Sequence, residues 1–239
     1  MSMPSPKIPA QSAVPGKLSI NAATSPFYPP PARTEAIWPP RATTLAAILL
    51  QLLLPDRLSP GPRWLVPALE AALLAALVVA APQRIGAPHP VRRVLMLSAT
   101  VVVSAANGIS LVLLSHLLLH HNVENGRALI VAGSEIWLTN VLVFALWYWE
   151  IDRGGPARRA AGLDGDPDFW FTQMTELDIF TQWRPRFADY LYVALTNATA
   201  FSPTDTMPLT AQAKLMMGLQ SLVSLVTIGL IVSRAVNIL

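Results

Sequence analysis

The sequence predicts an all-α fold, a polytopic transmembrane bundle of about six hydrophobic segments, and three observations carry that expectation. The 239 residues are 53% hydrophobic and only 13% charged, against about 25% charge in a soluble domain. The apolar residues fall into blocks separated by short basic or Pro-rich links. Lys and Arg gather at the ends of those blocks, where they orient helices in a bilayer. By length the chain is one domain.

Residues 1–40 hold ten prolines among Ser and Ala, from Pro4 to Pro40, with no apolar run. They read as a disordered tail ahead of a transmembrane helical domain over 41–239. Trp38 to Leu54 is the first apolar segment, bounded by proline and barely long enough for a hydrocarbon core of about 30 Å, so it either spans or dips. Trp64 to Ala81 follows as a span anchored by Trp64, with Arg63 and Arg84 outside its ends.

Val94 to Leu119 is long enough to span with tilt. It carries Ser98, Thr100, Ser104, Asn107, Ser110 and Ser115 beside the small residues Ala105, Ala106 and Gly108, a face suited to packing on other helices. Arg127 to Trp149 is the fourth segment, closed by Trp147, Tyr148 and Trp149 at a water interface. From Glu150 to Arg186 the chain opens on Gly154, Gly155 and Pro156 and then Asp164, Asp166 and Asp168, which read as loop. Trp170, Met174, Leu177, Phe180 and Trp183 recur at helical spacing, as in an amphipathic helix lying in the interface or a cap on the bundle.

Phe187 to Phe201 is apolar but reaches only roughly 22 Å as a helix before Ser202, Pro203 and Thr204. Leu209 to Leu239 then holds a full span. Irregular backbone at membrane depth is tolerated only when buried in protein or lining water, so the short helix, polar turn and long helix are the most informative tract. It reads either as a half helix that re-enters or as an ordinary hairpin whose first arm crosses obliquely.

In this tract the chain resembles the pore module of tetrameric potassium-type cation channels. Thr199, Asp205 and Pro208 match in register the pore-helix threonine, the aspartate after the filter and the proline that follows. Tyr190 and Tyr192 fit the aromatic start of the pore helix, and Thr210 to Leu239 resembles the inner helix. Ser202 and Thr204 stand where that family has its filter glycines, and Pro203 where it has tyrosine. The carbonyl rings that select potassium lean on backbone that glycine permits and proline forbids.

The resemblance therefore implies an ion path past Thr196, Thr199, Ser202, Thr204 and Asp205, poorly selective among monovalent cations, in a tetramer. The aromatic-rich end of the fourth segment, Gly154-Gly155 and the Tyr190-Leu191-Tyr192 helix are also similar to a family of small bacterial multi-pass membrane proteins with no assigned activity. That likeness implies architecture, and it leaves open a non-conducting scaffold or partner-binding protein.

Glu70 and Glu135 lie inside apolar segments, and intramembrane carboxylates are functional candidates for proton or ion binding. His116 and His120 stand four apart with His121 and Glu124 nearby, a weak metal-ligand spacing. Asn107 and Asn140 are suited to hydrogen bonds between helices. Having no cysteine excludes disulfides, thiolate zinc sites, iron–sulfur clusters and cysteine nucleophiles. No P-loop, GxSxG or HExxH appears, so the expectation is a protein that is no enzyme, takes no cofactor and binds lipid rather than nucleic acid.

Twelve of the seventeen Lys and Arg fall in the tail with the adjoining Arg41, in residues 82–93 and in residues 150–186. The positive-inside rule then puts those stretches and both termini in the cytoplasm, in the cell (inner) membrane. The pore helix of the channel family enters from the opposite side, so the two readings conflict over residues 150–186.

Overall fold

The computed structural model describes residues 36–59, 61–62, 64–80, 90–120, 126–163, 165–175, 183–199 and 206–236. The Pro-rich stretch up to residue 35 lies outside them. The described chain is mostly helical: α1 (Trp38–Leu53), α2 (Leu65–Ala80), α3 (Pro90–His120), α4 (Gly126–Ile151), α5 (Pro156–Ala161), α6 (Phe187–Ala198) and α7 (Ala211–Val236). Each of the six apolar blocks contains one of these helices. Only α3, α4 and α7 are long and apolar enough to cross a membrane by length and composition. At 1.5 Å per residue α6 is about 18 Å long, roughly half of what α4 or α7 spans.

Three features correct the sequence expectations. A two-stranded antiparallel sheet joins β1 (Phe169–Phe171) to β2 (Thr206–Pro208), with Trp170 opposite Met207, where no sheet was expected. This same stretch is the start of the expected amphipathic helix. Phe169 and Phe171 alternate inward about Trp170, a period of two, and aromatic rings from α4 and α6 cover them, while β2 takes up the backbone bonds. Residues 176–182, including Leu177 and Phe180, lie outside the described residues. Finally, the expected loop after α4 contains α5, which Pro156 starts and left-handed Gly162 ends.

Alternation of the helices follows from side-chain contacts. Gly133, Trp137 and Asn140 of α4 meet Ile231, Ser224 and Gln220 of α7 in reverse order, so these two are antiparallel. Ala194 and Ala198 of α6 meet Gln220 and Ser224 in the same order, so α6 runs parallel to α7. Trp147 of α4 bonds Ser104 of α3, the contact expected of that helix's hydroxyl face. Helix α4 is the centre, packing on α1, α3, α6 and α7, while α2 packs on α1 and α3.

One apolar cluster joins Ile37, Leu77 and Met96 to the end of α4 and the start of α6. A second joins Leu54, Leu58, Leu111 and Leu114 to the start of α4. Arg41, Arg92, Arg93, Arg153, Arg158, Arg159, Arg184, Arg186 and Lys214 therefore collect at the first end, with Arg57, Arg127 and Arg234 at the other. The grouping expected of the basic links is present in the fold.

Where α3, α4 and α7 cross, Gly133 allows close approach: a Cβ there would stand 2.6 Å from Ile231 Cγ1 and 3.6 Å from Leu114 Cδ2. Overpacking of this kind costs about 1–3 kcal/mol. Gly133→Leu is therefore expected to lower the unfolding midpoint in detergent, whereas Gly108→Leu, with nothing within 4 Å of its Cβ position, leaves it within experimental error of the wild type.

Candidate functional site

The centre of the α4, α6 and α7 contact is polar. Gln220 is fully buried; its Nε2 donates to Ala194 O (2.7 Å), and its Oε1 accepts from Tyr148 Oη (2.5 Å) and Asn197 Nδ2 (2.8 Å). Asn197 Nδ2 also donates to Met217 O at 2.9 Å, and its Oδ1 accepts from Ser221 Oγ at 3.1 Å. Ser224 Oγ donates to Ala198 O at 2.5 Å and accepts from Trp137 Nε1 at 2.7 Å. The last carbonyls of a helix have no partner within it. Here α7 supplies one to Ala198, the Thr199 N–H bonds Leu195 O at 3.1 Å and Thr199 Oγ1 bonds Thr196 O at 3.1 Å, so three of the last four carbonyls of α6 have partners.

At the Arg-rich end a second network fixes where α6 begins. Asp152 is completely buried. Its Oδ1 accepts the Asp168 N–H (2.9 Å) and, at longer range, the Phe169 N–H (3.4 Å); its Oδ2 accepts Tyr190 Oη (2.5 Å) and lies 3.8 Å from Arg153 Nε. Asp168 reciprocates, taking the Arg153 N–H at 3.1 Å and Thr210 Oγ1 at 2.6 Å. Thr210 Oγ1 in turn accepts the Ala213 N–H at 3.2 Å, starting α7. Arg159 Nη1 donates to Trp149 O and Asp152 O at 2.9 and 2.8 Å, closing the C-terminus of α4 with a cation. Its guanidinium also lies 5.4 Å from the Tyr190 ring centroid.

The backbone is bent to permit this. Arg153 has φ +53°, and Gly154 and Gly155 have φ +78° and +98°; a Cβ on Gly155 would also sit 3.0 Å from the Glu150 carbonyl oxygen. Gly155 thus meets two demands at once, a left-handed φ and a close backbone approach. The start of α6 is held by the Arg186 N–H, which donates to Asp189 Oδ2 at 2.6 Å.

The residues expected to carry an ion path divide in two. Thr196 and Thr199 lie half-buried on the face of α6 that also carries exposed Tyr192 and Leu195, turned away from α4 and α7. Each hydroxyl donates within its own helix, Thr196 to Tyr192 O at 2.9 Å and Thr199 to Leu195 O at 3.0 Å. Ser202, Thr204 and Asp205 lie outside the described residues.

Tyr190, matched to the aromatic start of a pore helix, is buried on the clasp, whereas Tyr192 is 53% exposed. Glu70 is enclosed between helices, while Glu135 is half-buried with Oε2 unbonded among the described residues. His116 is exposed, the side chain of His120 together with His121 and Glu124 lies outside the description, and no cluster of three His, Asp or Glu suited to a metal occurs among the described residues. Asn140 does bond across helices, its Nδ2 reaching Gln220 O at 3.4 Å.

In the sequence Tyr148 and Trp149 read as a belt at a water interface, but they are buried in protein. Asp152, Arg159 and Gln220 were not singled out from sequence. Two signals pointed to them: a polar glutamine inside an apolar last segment, and a carboxylate placed directly after an aromatic belt. The chain matches no protein-family model, no curated protein and no solved structure.

The clasp predicts unequal costs. Tyr190→Phe removes one hydrogen bond and should cost about 1–2 kcal/mol. Asp152→Ala leaves the buried Asp168 N–H and Tyr190 hydroxyl without their acceptor and removes the ion pair to Arg153, and should cost about 3–5 kcal/mol. In a double-mutant cycle followed by denaturation in detergent, Tyr190→Phe should cost almost nothing once Asp152 is gone.

Proposed function

We propose that this chain is a multi-pass membrane protein that permits ions to cross where the outward face of α6 meets further copies of itself, with little selectivity among monovalent cations. The observation that carries the reading is the half-length helix. α6 starts at the Arg-rich end and stops beside Ser224, about halfway along α7, and by Thr206 the chain is back at that end, paired with β1. A helix that stops at this depth beside full-length apolar neighbours leaves its polar turn either buried in protein or against water.

In this reading α3, α4 and α7 cross, the shorter α1 and α2, 16 residues each, also carry the chain between the two ends of the bundle, and α6 does not. The Arg-rich end faces the cytoplasm with the N-terminus, and the C-terminus lies on the other side. This revises the expectation that both termini are cytoplasmic, which holds only if α6 crosses. The buried lattice around Gln220 is saturated within one chain, so its role is to hold α6 rather than to conduct. Thr196 and Thr199, facing away from the bundle, line a path only if several chains surround an axis, and the channel resemblance suggests four. Leu215, Leu219, Leu222 and Leu225 give α7 an exposed apolar face for lipid or a neighbouring chain. A second reading, a non-conducting scaffold, draws support from the internal bonding of both threonine hydroxyls.

Because the native chain has no cysteine, single cysteines report on sidedness without background. Gly165→Cys and Met207→Cys are expected to react with a membrane-impermeant maleimide from the same side, and Val236→Cys from the other. Labelling of positions 165 and 207 from opposite sides makes α6 a span and ends the path proposed here. Purified protein in planar bilayers should pass monovalent cations, with conductance lowered in Asp205→Asn; silence at all voltages favours the scaffold.

A further inference from the structure

Away from α6, unmet polar chemistry concentrates where α1, α2 and α3 pack together. Glu70 of α2 is 0% exposed, and neither of its carboxylate oxygens receives a hydrogen bond among the described residues. Gln51 of α1 is its polar neighbour, 6% exposed, and its Nε2 completes no bond either. On α3, Asn107 is buried with Oδ1 unbonded among the described residues.

Charge offers no alternative partner in the described chain. No charged side chain there stands close enough to act on Glu70. The turn after α1 presents Asp56 and Arg57 to solvent, His116 on α3 is exposed, Arg41 sits at the far end of α1, and Arg63 lies outside the described residues. Beside Gln51 is a cavity of about 10 Å³, walled by Ser59, Ser110, Val66 and Pro67 and reaching exposed Pro62 in the connection between α1 and α2. That is room for about one water.

The unmet atoms match one protonation state. An ionised carboxylate would find a single donor, Gln51 Nε2, and no cation, an arrangement that an apolar interior penalises until the group is neutralised. A neutral carboxyl has one proton to give and one oxygen to receive on. Gln51 Nε2 is a vacant donor beside it, and water in the cavity next to Gln51 can take the proton. We propose that Glu70 is a proton-binding site whose carboxyl proton exchanges with water through the cavity beside Gln51 and Ser110, on the side of the bundle opposite the arginines. The site stands on the packing of α1 to α3 and is independent of whether α6 conducts.

Infrared difference spectroscopy of the full-length protein in liposomes tests this. The wild type at neutral pH should show the C=O stretch of a protonated carboxyl that Glu70→Gln lacks, and the band should shift in D₂O. Gln51→Leu should keep the band and slow the shift several-fold. Superimposable wild-type and Glu70→Gln spectra in the carboxyl region would overturn the proposal, as would a band that D₂O never shifts. A band that disappears when sodium replaces choline would also overturn it, because the site then takes a metal cation. Should Glu70→Gln fail to fold, an apolar carbodiimide on the wild type serves instead: mass spectrometry should place the adduct on Glu70, and an unmodified Glu70 refutes the assignment.

Discussion

The fold turns on a short helix whose inward face ends against a polar stripe of its long neighbour. A carbonyl or amide left unbonded in an apolar interior costs several kcal/mol, and the final turn of α6, with Asn197 and Ala198 buried, would otherwise leave such groups. Gln220, Ser221 and Ser224 meet those needs from α7, and Tyr148 and Trp137 back them from α4. Spacing makes this possible. Residues 217, 220, 221 and 224 lie on one stripe of α7, so one helix face both packs against α6 and terminates it.

Helix α4 is the element on which both networks depend. Its buried aromatic end holds Phe169 and Phe187 through ring contacts, and the turn just past it delivers Asp152 to Tyr190 and to the backbone of residues 168 and 169. The Asp152 carboxylate takes the Asp168 N–H, and the Asp168 carboxylate takes the Arg153 N–H, across sixteen and fifteen residues of sequence. The clasp thereby sets the level at which α6 starts, and the Gln220 lattice sets where it stops. Left-handed backbone at Arg153, a residue with a Cβ penalty there, is sustained because Asp168 and Asp152 hold both its N–H and its guanidinium region.

Much of the helix layout was legible because hydrophobic blocks and basic flanks are local signals. Trp38, Arg127 and Phe187 mark helix starts to within a residue, and Ser104 of α3 meets Trp147 as expected, whereas Ala105 and Gly108, expected on the same packing face, are exposed. What was not legible depends on contacts distant in sequence. Phe169-Trp170-Phe171 reads as part of a helical repeat until β2 is there to pair with it, and an aspartate after an aromatic belt reads as solvated until Tyr190 is folded against it. Glu70 was recognisable as an intramembrane carboxylate, but its full enclosure beside Gln51 follows from how the helices meet. For the candidate path, sequence named Thr196 and Thr199 but not the face of α6 they occupy, which is set by Asn197 and Val193 turning inward.

The bond between Tyr148 and Gln220 joins residues 72 apart in the chain, and this bears on how the protein is made. During synthesis α4 leaves the ribosome well before α7 exists, so Tyr148, Asn140 and Asp152 enter the membrane without the groups that later satisfy them. The nascent bundle passes through a stage in which its central helix is its least settled one. A chain cut short before Gln220 would therefore leave Tyr148 and Asn140 of α4 without the bonds that the last helix gives them.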